Sequence, residues 1–278
     1  MYETDASLCL RLALGVLLLG SVIAVVLRIK DDYEDFLSLG PGGTPSTLTG
    51  YLKIKVLSLF VLRDPYEPPV NQDESESPTG HLASLPKRPH TRPLTKGIAP
   101  QRQITQCATS ANYAKLAAAL EDMAESSGNQ FEIGTSCFEK HGTGIFSTSI
   151  PDKRTCKGEI CHAHPSDGSL HLTLHPADVK VVLKAGWGER HPLARGGFFQ
   201  RFVPHGFLMI YAPQTEEEIQ IILQIVAAAA RFVCGSKQCN ESGTCGMSSQ
   251  KQLFSKLSDA ECPASPGNVS QDPLKVSC

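Results

Sequence analysis

EICHAHPSDGSLHLTLH, residues 159–175, holds four of the nine histidines in the chain. Imidazole changes charge near neutrality, so such a cluster can move protons, and it is also a common ligand for transition metals. Spacing decides which rings can meet. Pro165-Ser-Asp-Gly168 lies between two alternating runs and is a turn signal, so residues 159–164 and 169–174 are expected to form a hairpin. An even-length loop centred on Ser166 and Asp167 pairs His162 with His171 and His164 with Ser169. Paired residues share a face, as do residues two apart on one strand. His162, His164, His171 and Thr173 therefore share one surface, and Cys161, Ala163, Leu170, Leu172 and Leu174 share the other. The apolar set belongs to a core. The histidine set is either solvated or the floor of a pocket.

Three imidazoles on one face, two of them directly opposed, titrate as a coupled set because adjacent charged rings repel. Proton transfer is the first reading of the cluster and a three-histidine metal site the second. No carboxylate stands at an obvious ligand spacing. Asp167 and Glu159 are the substitutes the local sequence offers.

The elements that must carry these residues read as α+β, an antiparallel sheet covered on one side by helices. Short strands are expected near residues 130–133, 144–150, 159–164, 169–174 and 207–211. A helix is expected over residues 110–126, stopped by Gly128. Pro176 opens another, with Val179, Val182 and Leu183 at i, i+3 and i+4, and Gly186 closes it. Thr215-Glu-Glu-Glu218 is a capping box with acids at the positive end of the dipole, and that helix runs to Gly235.

Residues 12–27 (LALGVLLLGSVIAVVL) are apolar between Arg11 and the Arg28/Lys30 pair, which reads as a single-pass transmembrane anchor. The rival reading, a cleaved signal peptide, lacks a small-x-small site after the apolar run. Arg28 and Lys30 against Arg11 bias the following domain weakly toward the cytosol. The expected organisation is an anchor at 1–30, a membrane-proximal segment at 31–63 and a flexible linker or strap at 64–106. An α+β domain at 107–235 and a Cys/Ser-rich tail at 236–278 follow. Residues 51–62 read as either a helix or a strand, too short to span a bilayer comfortably. A net charge of -2 with 19% charged residues provides no basic field for nucleic acid. Ten cysteines without a CxxC pair make a structural zinc site improbable and leave the redox compartment open.

HAHPSDGSLHLTLHPADVKVVLKAGWGERHPLA, residues 162–194, resembles the central block of the fungal luciferases and the wider luciferase-domain family, with its H-x-H, its SLH strand and its KxGWGxRHPLA segment. Residues 31–60, 85–106 and 207–232 resemble further family segments in the same order, and the anchor takes the same place. The luminous members oxidise 3-hydroxyhispidin, a 3-hydroxy-α-pyrone, with molecular oxygen, losing carbon dioxide and emitting light. The resemblance implies a membrane-anchored oxygenase, at the endoplasmic reticulum, acting on a pyrone or phenolic small molecule. Molecular oxygen is then the co-substrate and no cofactor is required, with a metal kept as the second reading. His162, His164, His171 and His191 are the expected catalytic residues, and Asp167, Trp187 and Arg190 the expected substrate contacts. Trp187 reads equally as a staple beside Gly186, and Arg190 as a partner of helix carbonyls. Phe198, Phe199 and Phe202 would make an apolar lid if they fold over the histidines. Three departures stand against that pattern. Pro165 follows His164 where the luciferases have Asp, residues 196–206 differ in composition, and the tail has no counterpart. The competing class is a non-catalytic module that binds a small ligand or metal in the same pocket.

Overall fold

The computed structural model describes residues 2–69, 79–149 and 155–235. The helices are α1 (Tyr2–Ser38), α2 (Leu48–Ser58), α3 (Ser110–Glu125), α4 (Pro176–Ala185) and α5 (Glu216–Cys234). The strands are β1 (Thr95–Gly97), β2 (Gln101–Gln103), β3 (Phe131–Thr135), β4 (Thr143–Ser147), β5 (Glu159–Ala163), β6 (Leu170–Thr173), β7 (Gly188–Arg190) and β8 (Phe207–Ile210). Six strands form one antiparallel sheet in the order β3-β4-β5-β6-β8-β7, and β1 and β2 form a separate ladder. The chain is α+β, as its alternation and helix signals indicate.

The β5–β6 hairpin holds the expected register, with His162 opposite His171 and the His164 N–H donating to the Ser169 carbonyl at 2.8 Å. Gly168 makes the turn possible: its φ of 78° is left-handed, and a Cβ there would lie 2.4 Å from the Ala108 Cβ. The apolar side of the sheet carries Cys161, Leu170, Leu172, Leu208 and Ile210, buried against Ile222, Ile225 and Val226 of α5. Full burial of side chains of this size contributes about 1.5–3 kcal/mol each. Local chemistry sets the helix ends. Thr215 accepts from the Glu218 N–H, Gly186 takes a φ of 83° at the end of α4, and His175 caps the start of α4 by accepting from the Ala177 N–H at 3.1 Å. The fourth histidine of the opening segment is thus a helix cap.

Helices cover one face, and the other face is covered as well. Phe36, Tyr51, Ile54, Ile98, Val203 and Phe207 form a second buried cluster over the histidine side, drawn from α1, α2, the β1–β2 connection, the loop before β8 and β8 itself. Residues 51–62 are helical through Ser58, and Gly50, Tyr51 and Ile54 are the buried face of α2. Strands β1, β2 and β7 span three residues each, too few to show an alternation in the sequence. Residues 70–78, Ile150 at the end of the strand expected over residues 144–150, and the tail at 236–278 lie outside the described residues.

Candidate active site: a buried histidine cluster on the floor of a cavity

Glu159 and His162 are three apart and would face opposite sides of a regular strand. A bulge in β5 changes this, because Cys161 pairs with Ile145 and Glu159 with Phe146, which leaves Ile160 as the extra residue. Ile160 stays in the core, and Glu159 turns to the histidine face, 2.5 Å from His162 Nδ1. Three donors hold its carboxylate: the Ser136 hydroxyl and the N–H groups of Cys137 and Phe138. A carboxylate so placed only accepts, so His162 carries its proton on Nδ1 and presents a bare Nε2. That nitrogen is buried and has no hydrogen-bond partner. Burial holds the His162 pKa below its ordinary value even against the pull of Glu159.

A second chain of bonds assigns the other two rings. Glu189 accepts from the Thr95 hydroxyl, the Gln101 side-chain N–H and the Tyr211 hydroxyl. Gln101 therefore turns its carbonyl to His171, 3.1 Å away, and His171 must donate from Nε2. Its Nδ1 is then an acceptor, and His164 Nε2 donates to it at 3.1 Å. The Ser169 hydroxyl gives its one proton to Asp167, so His164 Nδ1 donates to Ser169 as well. His164 with both nitrogens donating is an imidazolium. Burial opposes that charge, but Asp167 at 3.7 Å and Glu139 at 3.4 Å outweigh it and raise the His164 pKa. Burial and the neighbouring His164 hold His171 neutral, with a pKa well below the usual imidazole range.

Glu139 was not visible as a site residue in the sequence. Arg102 grips both of its oxygens, at 2.9 and 3.0 Å, and the Cys137–Cys156 disulfide ties its loop to the turn before β5. Despite the cost of burial, the pairing with His164 and Arg102 holds the Glu139 carboxyl far below the ordinary range. Ligand atoms of Glu139, His162, His164 and His171 all lie within 4.8 Å of one another. Gln101, Arg102 and Gln103 are all buried and serve this face in turn: Gln101 bridges His171 and Glu189, Arg102 holds Glu139, and the Gln103 N–H donates to Asp167 at 2.9 Å.

Above the cluster lies a cavity of about 640 Å³, within the range of small-molecule sites. His162, His171, His191, Phe138 and Phe207 form its floor and walls, and Lys53 and Phe202 also line it. Phe207 stacks on His171 with ring centroids 5.1 Å apart and 14° between planes. Two buried polar atoms without a partner belong to lining residues, His162 Nε2 and Thr173 Oγ1.

The expected site residues separate into groups. His162, His164 and His171 come together. His191 lines the cavity, but its Nε2 donates to the Ile98 carbonyl and its Nδ1 accepts from the Leu193 N–H, so neither nitrogen is free. Burial lowers its pKa to about 4. Asp167 stands behind His164 as its charge partner, outside the cavity lining. Trp187 lies in the apolar core at 0% exposure, its indole N–H donating to the Pro86 carbonyl at 2.7 Å. Arg190 clasps the Glu67 and Ala194 carbonyls and does not reach the cavity. Among the phenylalanines, Phe202 lines the cavity, Phe199 packs on Phe60 and Phe198 is exposed, so the lid is partial.

Fold and site together define a small α+β domain that encloses a histidine-floored cavity of small-molecule size. A luciferase-domain family model matches residues 157–229, which run from β5 through most of α5. The luciferase of Neonothopanus nambi is 33% identical over 234 residues, covering 79% of this chain and 85% of that protein. The luciferase of Armillaria mellea is 34% identical over 221 residues, covering 74% of this chain and 81% of its own. The chain therefore belongs to the fungal luciferase family. No solved structure matches it.

Proposed function

We propose that this protein is an oxygenase that deprotonates a planar hydroxypyrone or phenolic substrate in the histidine-floored cavity and lets the resulting anion react with molecular oxygen. The observation that carries this reading is the bare, buried Nε2 of His162 on the cavity floor, oriented by Glu159. A neutral base held in place by a carboxylate suits removal of an acidic enol proton. The His164 imidazolium lies outside the cavity lining, with both N–H groups committed to Ser169 and His171. Its charge, acting through the His171 ring, stabilises the enolate and then the anionic peroxide that forms from it and oxygen. For a hydroxypyrone, the peroxide closes on the lactone carbonyl and the ring loses carbon dioxide. The Thr173 hydroxyl supplies a hydrogen bond to a substrate oxygen, and Phe207, Phe138 and the imidazoles provide flat walls for an aromatic ring.

The domain is proposed to work at a membrane, specifically that of the endoplasmic reticulum. Helix α1 is long and apolar enough to cross a bilayer, and its apolar side chains from Leu8 to Ile29 are exposed. Leu48, Leu52 and Val56 on α2, with Leu59 just past its end, add an exposed apolar stripe beside that helix. A pyrone with an apolar substituent would approach the cavity from this side, where Lys53 and Leu57 of α2 line it.

Oxygen uptake by the full-length protein in detergent, with 3-hydroxyhispidin and related 3-hydroxy-α-pyrones, tests the reaction. Uptake should require both the pyrone and His162, and His162→Asn keeps a donor toward Glu159 while removing the base. Saturable pyrone binding without uptake would instead make this a non-catalytic binding module.

A further inference from the structure

The three histidines that meet beneath the cavity share a property that base catalysis does not require. Each histidine turns one nitrogen toward the centre and secures the other on a protein acceptor: His162 on Glu159, His164 on the Ser169 hydroxyl and His171 on Gln101. Metal-ligating histidines are held in this way, since the outer bond fixes the tautomer and aims the inner lone pair. His162 Nε2 and His171 Nδ1 already present lone pairs, and Glu139 adds an oxygen 3.4 Å from His164 Nε2. Ligand atoms around tetrahedral zinc are separated by about 3.4 Å, so the 3.1 and 3.4 Å contacts fit already. The widest separation, 4.8 Å, closes with movements of under about 1 Å per ligand atom. Charge points the same way. The buried carboxylates Glu139, Glu159 and Asp167 stand against the Arg102 guanidinium and the His164 imidazolium, a formal charge of −1, and a dication that displaces the His164 Nε2 proton brings it to zero.

We propose that Glu139, His162, His164 and His171 form a site for one divalent transition-metal ion of the zinc or cobalt class. The metal-filled and base-active states exclude each other, because both use His162 Nε2. A free divalent ion would then act as a reversible inhibitor of the oxygenase reading given above, and the existence of the site does not depend on that reading.

The test uses the full-length protein in detergent, stripped with a chelator and titrated with Co²⁺. Visible ligand-field bands should grow to saturation at one equivalent and disappear on adding Zn²⁺. They should persist in His141→Ala, which removes an exposed histidine near the Glu139 loop, and vanish in His162→Asn and Glu139→Gln. Zn²⁺ should raise the melting temperature of the unchanged protein and of His141→Ala but not of His171→Gln, a readout that does not require activity. Absence of bands at one equivalent, or bands that survive His162→Asn, would overturn the site. With a hydroxypyrone, uptake should fall as Co²⁺ fills the site and recover with chelator. Uptake that instead rises with the metal would overturn the exclusion of the two states. If no pyrone supports uptake while the bands saturate, the oxygenase reading fails and the metal site stands.

Discussion

On the α5 side of the sheet, Cys161, Leu170, Leu172, Leu208 and Ile210 meet only hydrocarbon. One residue along, on the other side, His162, His171 and Phe207 meet carboxylates, an amide, a guanidinium and one another. Both faces are buried: Leu172 is 0% exposed and His171 3%. The apolar face needs no partners, because dispersion and exclusion of water stabilise it without direction. The polar face is tolerable only if its groups are paired, since a buried unsatisfied polar atom costs about 1–3 kcal/mol. Its near-complete pairing makes the orphans informative: besides Arg102 Nε, they are His162 Nε2 and Thr173 Oγ1, and these two belong to residues lining the cavity. A face built for stability alone would have no reason to leave these two without partners.

The sharpest way to break this contrast is to exchange the penalties. His162→Asn should lower the oxygen-uptake rate by roughly 10²–10⁴-fold, the range of a lost general base, while the urea midpoint stays close to that of the unchanged protein. Leu172→Ala should do the reverse, costing about 2–5 kcal/mol of stability in urea unfolding and leaving the rate per folded molecule nearly unchanged. Equal losses of stability from both would erase the distinction between the faces.

Acid separates the faces next. His191 is neutral in the fold, with a pKa of about 4 against about 6.5 when unfolded, so below pH 6.5 the unfolded chain binds the extra proton. This contribution is complete above pH 6.5 and is lost as pH falls toward 4, amounting to about 3 kcal/mol. Its raised pKa makes His164 act in the opposite sense, stabilising at low pH and fading as pH rises through the folded value. Denaturant midpoints measured from pH 7 to 4 should therefore fall less steeply for His191→Asn, whose amide oxygen can keep the bond from the Leu193 N–H. An unchanged slope would show that His191 is not held neutral. The smallest effect is expected from Thr173→Val, which removes one unpartnered hydroxyl. A raised KM worth about 1 kcal/mol, with stability equal or slightly improved, is the expected outcome. Lost stability would mean that the hydroxyl is paired within the fold.

Much of the scaffold was legible in the residues themselves. Alternation and the PSDG turn determine the hairpin, its register and which face the histidines share, because strand periodicity and turn chemistry are local. Caps, periodicity and closing glycines determine α3, α4 and α5 for the same reason. The family was legible too, from the block at residues 162–194. Only the tertiary structure decided how the site is wired. Glu139 reaches His164 and Arg102 from a loop, Gln101 reaches His171 across 70 positions and Glu189 across 88, and a single bulged residue turns Glu159 toward His162. It also decided that Trp187 packs in the core and that both His191 nitrogens are taken by backbone. Periodicity records which way a side chain faces along its own strand or helix. It does not record which distant donor meets that side chain, because those pairs are chosen by the need to satisfy buried polar groups once the chain has closed over them.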